Sequence, residues 1–175
     1  MEHRIFKGVL EKQEFENIRS FFFNPKTPWY YQSKMLIKSQ NDDRGFFSHV
    51  LFHENKVYSE GYSLFEPLIN KLNILSLINL RANLNIKSDN RYMSEFHSDY
   101  VYKDGLTAIY YLNKCNGYTE FDNKEKTKVY SEPNKIVIFD SGMKHRMVSQ
   151  TDENRRLVVN INYFPKWIFH EILLY

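Results

Sequence analysis

The chain contains one cysteine, Cys115, among its 175 residues. A single cysteine excludes an internal disulfide framework and any metal cluster built from several cysteines. A bound metal ion would therefore have to be held by histidine and carboxylate side chains. Such sparse cysteine also suits a reducing compartment, so we expect a cytoplasmic protein.

Long apolar runs and a strong excess of one charge are missing as well. No stretch approaches the 18 apolar residues typical of a membrane span, and charges interrupt the N-terminal segment MEHRIFKGVL, which does not read as a signal peptide. The net charge is only +3, too small to indicate a polyanionic partner by itself. We therefore expect no membrane association and disfavour nucleic acid as a partner.

Aromatic residues, in contrast, are abundant. They make up 17% of the chain, with 13 Tyr and 14 Phe, and such side chains favour the half-buried surfaces of β-sheets. Hydrophobic residues at 42% and charged residues at 26% are typical of a globular core. The length fits one domain.

Periodicity predicts helices near the N-terminus and strands thereafter. Residues 11–23 place Phe15, Ile18 and Phe22 at helical spacing, residues 27–38 are typical of a strand, and residues 63–72 are typical of a helix. Many short strands punctuated by turn residues then predict a sandwich or barrel, a class that includes the jelly roll. These later strands are expected at residues 94–99, 106–112, 118–122, 126–130, 135–140, 145–149 and 156–164.

The longest alternating stretch covers residues 75–86, LSLINLRANLNI. Alternation puts Asn79, Arg81, Asn83 and Asn85 on one face and mostly apolar residues on the other. Because the apolar face belongs in a core, the polar face is expected to meet either solvent or a polar cavity.

The strongest chemical signal is the segment Phe96-His97-Ser98-Asp99. Residues i and i+2 of a strand point to the same side, so His97 and Asp99 can offer a nitrogen and an oxygen to one ion. His145, straight after another apolar strand, is the candidate third ligand. Two histidines and one carboxylate form the facial triad of non-haem Fe(II) oxygenases, and Arg156 further on suits a carboxylate of a dicarboxylic cosubstrate.

With these residues in place, the sequence resembles the Fe(II)/2-oxoglutarate-dependent dioxygenases, and within them the prolyl-4-hydroxylase-like branch with its short phage-encoded members. The matching segments, in family order, are FHSDY, LTAIYYLN, GYTEF, NKIVIFDSGMKHRMVS and RRLVVNINYF, which cover most of residues 96–164.

The resemblance implies a mainly β fold with flanking helices, a double-stranded β-helix of the jelly-roll, cupin-like type. It implies that His97, Asp99 and His145 are the catalytic metal ligands and bind Fe(II). It further implies 2-oxoglutarate and O₂ as cosubstrates, ascorbate as an accessory reductant, and a cytoplasmic location, in the host cell if the protein is phage-encoded.

For the cosubstrate, the resemblance implies that Arg156 binds the tail carboxylate of 2-oxoglutarate and that Tyr111 hydrogen-bonds the same group. Asn83 and Asn85 match the strand that lines the cosubstrate cavity. Two arginines are adjacent here, so Arg155 competes with Arg156 for the role, although strand alternation favours Arg156.

The expected organisation is a single dioxygenase domain over residues 1–175. Residues 1–90 would supply supporting helices and strands with a lid, residues 91–164 the catalytic jelly-roll core, and residues 165–175 a C-terminal extension. His49, His53 and His170 have no comparable context and are expected to be structural or exposed.

The expected activity is hydroxylation of a C–H bond in a peptidyl, prolyl-like substrate or a small molecule, with release of succinate and CO₂. One alternative is a nucleobase-oxidising or demethylating enzyme, for which Trp29, Tyr30, Lys34 and Lys38 could supply a basic stacking groove. The other is a jelly-roll binding module without turnover.

Overall fold

The computed structural model describes residues 3–34 and 44–166. Eleven strands and two α-helices lie within these ranges, together with a 3₁₀ helix, Glu60–Phe65. The helices are α1 (Lys12–Phe23) and α2 (Glu66–Lys71). The strands are β1 (Arg4–Lys7), β2 (Tyr30–Gln32), β3 (Phe46–His53), β4 (Lys56–Val57), β5 (Ile74–Ile86), β6 (Leu106–Tyr111), β7 (Tyr118–Phe121), β8 (Lys128–Tyr130), β9 (Lys135–Asp140), β10 (His145–Val148) and β11 (Arg155–Pro165).

The strands form two antiparallel sheets. The larger sheet has the order β1-β9-β6-β11-β5-β3-β2, with β4 paired to β3, and the smaller has the order β10-β7-β8. Strands β5 and β11 of the larger sheet and β7 and β10 of the smaller one contribute side chains to a common cavity. The prediction of a mainly β, double-stranded β-helix with flanking helices is confirmed.

Helix α1 covers the outer face of the larger sheet. Its buried residues are the predicted Phe15, Ile18 and Phe22, and Phe15 packs edge-on against Tyr110 of β6 with ring centroids 6.3 Å apart. Glu11 and Glu14 form a capping box that satisfies backbone N–H groups at the start of the helix.

Strand β6 is buried on both faces because it lies between α1 and the smaller sheet. Ala108 and Tyr110 belong to the core beneath α1, whereas Ile109 and Tyr111 belong to the core between the sheets. A continuous apolar strand is what burial on two sides requires.

The alternation predicted for β5 is present from Asn79 onward. Asn79, Arg81, Asn83 and Asn85 line the cavity, and Leu80 packs in the outer core. Before that point the pattern breaks, since Leu77 also packs in the outer core. A bulge in the pairing with β11 causes the break, because Asn162 lies opposite Asn79 whereas the next residue lies opposite Leu77.

Several predicted element bounds differ from the structure. The segment 94–99 is not a continuous strand, because only His97 and the nearby Met93 form bridges to β10. The strand predicted for 27–38 is reduced to β2, and residues 35–38 lie outside the described part of the chain. The helix predicted for 63–72 begins earlier, as the 3₁₀ helix, and Pro67 stands at the start of α2.

Candidate metal centre

The three predicted metal ligands lie together at one end of the cavity. Their candidate ligand atoms are within 4.8 Å of one another. Asp99 Oδ1 lies 3.7 Å from His97 Nε2 and 3.9 Å from His145 Nε2. Both distances exceed the range of a direct hydrogen bond, so the three groups converge on one point without satisfying one another.

The pairing of two backbone segments fixes both histidines. His145 begins β10, and its N–H donates to the carbonyl of His97, while the N–H of His97 donates to the carbonyl of His145, each at 2.9 Å. The two rings therefore lie side by side, with centroids 4.7 Å apart. Asp99 reaches the same side from two residues further along the chain.

Hydrogen bonds to carbonyl oxygens select the tautomer of each ring. Nδ1 of His97 lies 3.2 Å from the carbonyl of Glu95, and Nδ1 of His145 lies 3.1 Å from the carbonyl of Met143. A carbonyl only accepts, so each Nδ1 donates, and in the neutral form of each ring Nε2 keeps its lone pair. Burial lowers the pKa of His145, with Asp99 opposing the shift, and a neutral imidazole is the form that binds metal.

An asparagine that the sequence analysis missed holds the carboxylate. Asn162 Nδ2 donates to Asp99 Oδ2 at 3.0 Å and to Thr107 Oγ1 at 2.9 Å, while its Oδ1 accepts from Asn79 Nδ2 at 3.1 Å. Oδ2 is thereby engaged and Oδ1 faces the histidines. Alternation along RLVVNINYF puts Asn162 on the same face as Arg156, so its place on the cavity wall could have been predicted, although its pairing with Asp99 could not.

We expect Asn162→Ala to weaken metal binding without removing a ligand. Groups that orient metal ligands commonly contribute about 10- to 100-fold in affinity, and we expect a loss in that range because Asp99 becomes free to rotate. Competition titration with a chelating dye measures the change. The matched control is Asn160→Ala, on the same face of β11 but without a hydrogen bond to Asp99. Equal affinities for the two variants would contradict the orienting role.

The ligand triad opens into a cavity of about 630 Å³. Polar side chains of β5 and β11 form one wall, with Asn85 opposite Arg156 and Asn79 opposite Asn162 in the strand register. Asn83 and Asn85 both line this wall, and their Oδ1 atoms are buried without a hydrogen-bond partner among the described residues. Buried polar atoms normally have partners, so this wall suits a polar ligand.

Arg156 lies in the same cavity and is 1% exposed. Its Nη2 donates to Thr119 Oγ1 at 3.4 Å, while its Nε has no partner and the guanidinium forms no ion pair within the described part of the chain. Burial lowers its pKa. A buried charge is costly unless it is paired, so Arg156 fits an anionic ligand.

Gly117 makes room for the arginine. A Cβ atom at this position would lie 2.7 Å from Arg156 Cδ, closer than two carbon atoms can approach. A glycine here therefore lets the arginine stem lie directly against the backbone.

Tyr111, which was expected to hydrogen-bond the tail carboxylate of 2-oxoglutarate, contacts the cavity residue Thr119. The tyrosine is fully buried, and its hydroxyl donates to Thr119 Oγ1 at 2.9 Å. Burial raises the pKa of Tyr111 to about 12, so the phenol stays protonated. Because Thr119 Oγ1 accepts from both Tyr111 and Arg156, its own hydrogen is directed elsewhere, and Thr119 lines the cavity. Sequence analysis did not single out Thr119.

The two adjacent arginines occupy different environments. Arg155 is exposed and its guanidinium lies 4.2 Å from the ring centroid of Phe23 on α1, whereas Arg156 faces the cavity. The alternation of β11 separates them, as the sequence predicts.

The remaining sequence candidates fall in three classes. His49 is a structural residue, buried between the carbonyl of Pro28 and the hydroxyl of Ser59, and the side chain of His53 is 41% exposed, although it also lines the cavity. Trp29 packs against Phe22 with ring centroids 5.7 Å apart and is not a free stacking surface. Lys38 and His170 lie outside the described residues.

Comparison with solved structures finds the same architecture. A 2OG-Fe(II) oxygenase family oxidoreductase from Burkholderia pseudomallei superposes with a TM-score of 0.69 at 8% identity, covering 93% of this chain and 84% of that one. A prolyl hydroxylase from Trichoplax adhaerens, in complex with a hypoxia inducible factor oxygen degradation domain peptide fragment, gives 0.65 at 19% identity and coverages of 94% and 84%. The fold is that of the 2OG-Fe(II) oxygenases.

HygX from Streptomyces hygroscopicus, solved with nickel and 2-oxoglutarate bound, also superposes on this chain. It gives a TM-score of 0.59 at 12% identity, with coverages of 94% and 83%. No protein-family profile and no curated protein sequence matches the chain. Among the described residues, neither helix has the length and apolar character that crossing a bilayer requires.

Proposed function

We propose that this chain is a non-haem Fe(II)- and 2-oxoglutarate-dependent dioxygenase. The observation that carries the proposal is a single cavity that contains both a His-His-Asp set and a buried arginine without an acidic partner among the described residues. Each feature alone has a simpler explanation, since histidines are often structural and an arginine can be buried for packing. Together they match the requirements of 2-oxoglutarate-dependent oxygenation, which needs a redox-active metal ion and a binding site for a dicarboxylate.

The donor set suits ferrous iron. Two neutral imidazole nitrogens and one carboxylate oxygen on one side of an ion leave the opposite positions open, as in the facial triad of Fe(II) oxygenases. His97, Asp99 and His145 would hold the iron. With 2-oxoglutarate and O₂ bound, the iron supplies an oxidation that converts R–H, 2-oxoglutarate and O₂ to R–OH, succinate and CO₂.

The chain binds and orients the cosubstrate. The Arg156 guanidinium pairs with the distal carboxylate of 2-oxoglutarate, and the Thr119 hydroxyl, held by Tyr111, donates to the same group. Asn83 and Asn85 offer their carboxamides along the wall between this end and the metal. A free carboxylate is strongly hydrated. In the site, the donors of Arg156 and Thr119 replace this water, and the carboxylate in turn compensates the buried charge of the arginine.

Apolar residues keep the site dry. Ile109 and Val158 line the cavity and belong to the core between the sheets, and the ring of Phe139 lies against His145 with centroids 4.8 Å apart. Exclusion of water strengthens the charge pairing in the site and protects a reactive oxidant from side reactions.

We further infer that the hydroxylated substrate is a peptidyl, prolyl-like group or a small molecule, that ascorbate serves as an accessory reductant, and that the protein acts in the cytoplasm, of the host cell if it is phage-encoded. The likeness of the fold to a prolyl hydroxylase in complex with a peptide fragment supports a peptide substrate. Of the two aromatic residues named for the nucleobase alternative, Trp29 is packed against Phe22, whereas Tyr30 is 62% exposed.

The experiment that tests the proposed function is 2-oxoglutarate turnover. Protein loaded with Fe(II) and 2-oxoglutarate under argon, then exposed to O₂ with ascorbate as the reductant, is expected to release succinate and CO₂ in equal amounts, slowly even without substrate. Omission of Fe(II), or the Asp99→Asn variant, is expected to reduce the rate to background. An iron-loaded protein that binds 2-oxoglutarate but forms no succinate, with or without ascorbate, would instead indicate a binding module.

A further inference from the structure

A second arginine of the cavity has no role in the reaction as described. Arg81 lies in the middle of β5, opposite Val50 of β3 and Asn160 of β11, and its side chain lines the same cavity as the metal ligands. It is half-buried, with its guanidinium 6.0 Å from the ring centroid of Phe46.

Arg81 has no compensating charge among the described residues. Its Nε is buried without a hydrogen-bond partner, and it forms no ion pair there. Asp99, the acid among the metal ligands, is already engaged by Asn162 and faces the two histidines.

Other residues around Arg81 add positive charge and few acceptors. Lys34 lines the cavity. Arg146 is neutralised, since its Nε donates to Glu120 Oε2 at 2.6 Å. Glu95 is the acid of the lining that stands against Arg81 and Lys34, and Glu54 lies outside the lining, with its Oε1 3.6 Å from His53 Nε2. The lining of this part of the cavity therefore keeps a surplus of positive charge once Arg156 and Asp99 have their proposed partners.

Arg81 and Arg156 are placed to bind different groups. Arg156 lies opposite Asn85 in the pairing of β5 with β11, and Arg81 lies four residues before Asn85. At about 3.3 Å per residue this separates the two positions by about 13 Å along the sheet. The metal end of the cavity, marked by Asn79 and Asn162, lies beyond Arg81.

Building on the proposed function, we propose that Arg81 binds an anionic group of the substrate, a carboxylate or a phosphate, while the C–H bond to be oxidised faces the metal. A guanidinium pairs with either anion through two parallel hydrogen bonds, which fixes orientation as well as charge. The substrate class is therefore acidic molecules, and neutral analogues lacking the anion bind poorly.

Side-chain NMR of the arginines tests this proposal without turnover. Protein labelled with ¹⁵N-arginine and loaded with Zn(II) gives Nε–Hε signals, which the variants Arg81→Gln, Arg156→Met and Arg155→Met assign by loss of one signal each. Saturation with 2-oxoglutarate comes first and is expected to shift the Arg156 signal. Inorganic phosphate, acetate and neutral acetamide are then titrated separately.

We expect phosphate or acetate to shift the Arg81 signal saturably, acetamide to leave it unchanged, and the exposed Arg155 to stay unchanged throughout. The anion that binds more tightly identifies the substrate group. In Arg81→Gln labelled uniformly with ¹⁵N, backbone signals of β5 should report an affinity at least about tenfold weaker, as expected for losing a hydrogen bond to a charged group.

An Arg81 signal that responds to neither anion, or only in parallel with Arg155, overturns the inference. Failure of the proposed function has a different signature, because the Arg156 signal then fails to respond to 2-oxoglutarate. The Arg81 signal is read separately in either case.

Discussion

Arg156→Met is expected to lower the affinity for 2-oxoglutarate by at least about 30-fold without destabilising the unliganded protein. Truncating one partner of a buried ion pair costs about 2–5 kcal/mol, and about 1.4 kcal/mol corresponds to a factor of ten. In the unliganded state Arg156 has only a 3.4 Å contact to Thr119 and an orphaned Nε, so methionine removes a charge that was buried without compensation.

Thermal unfolding with and without 2-oxoglutarate measures both effects. The wild-type protein should be stabilised by the ligand, and Arg156→Met should not be. Arg155→Met is the matched control, because that side chain is exposed against Phe23 and should leave the ligand-induced shift intact. A variant that is strongly destabilised without ligand yet still binds 2-oxoglutarate would assign Arg156 a structural role instead.

Asp99→Asn is expected to reduce the affinity for Fe(II) by at least about 100-fold, since even groups that only orient ligands contribute about 10- to 100-fold. The substitution keeps the shape of the side chain and an oxygen that can accept from Asn162, so the metal-free protein should unfold at nearly the wild-type temperature. The substitution removes the negative charge of the Asp99 carboxylate, which binds the metal cation.

Metal titration under argon, followed by turnover of the same samples, checks this prediction. Asp89→Asn removes an exposed carboxylate outside the cavity and serves as the matched control. His145→Ala should also lose the metal, but it leaves a void against Phe139 and is the less clean variant. Unchanged iron affinity in Asp99→Asn would show that the triad is not the metal site.

Most of the correct predictions from the sequence rest on the local periodicity of single helices and strands. The alternation of β11 is enough to turn Arg156 inward and Arg155 outward, and that of β5 is enough to put Asn83 and Asn85 on a polar wall. Helical spacing likewise identifies Phe15 as a core residue of α1. Each of these inferences needs only the direction of a side chain within one element.

Residues whose role depends on pairing between distant segments were missed. Asn162 became a partner of Asp99, and Thr119 became the junction of Tyr111 and Arg156, only through the register of separate strands. His53 is 41% exposed, as expected, but its place in the cavity lining follows from the pairing of β3 with β5, and nothing nearby in the sequence indicates it. Register is a long-range property that no local pattern records.

The bulge in β5 shows the same limit. A strict period of two puts Leu77 on the face of Asn79, but one shifted pairing with β11 returns Leu77 to the core. The segment 94–99 fails differently, since it has the composition of a strand but makes only isolated bridges to the four-residue β10.

Calorimetric titration of 2-oxoglutarate into the protein under argon tests the central claim most directly, namely that the triad and Arg156 form one site. We predict one binding site per chain in the Fe(II)-loaded protein, with binding greatly weakened both in metal-free protein and in Arg156→Met. Binding of equal strength with and without metal, or in the presence and absence of the Arg156 guanidinium, would contradict the account.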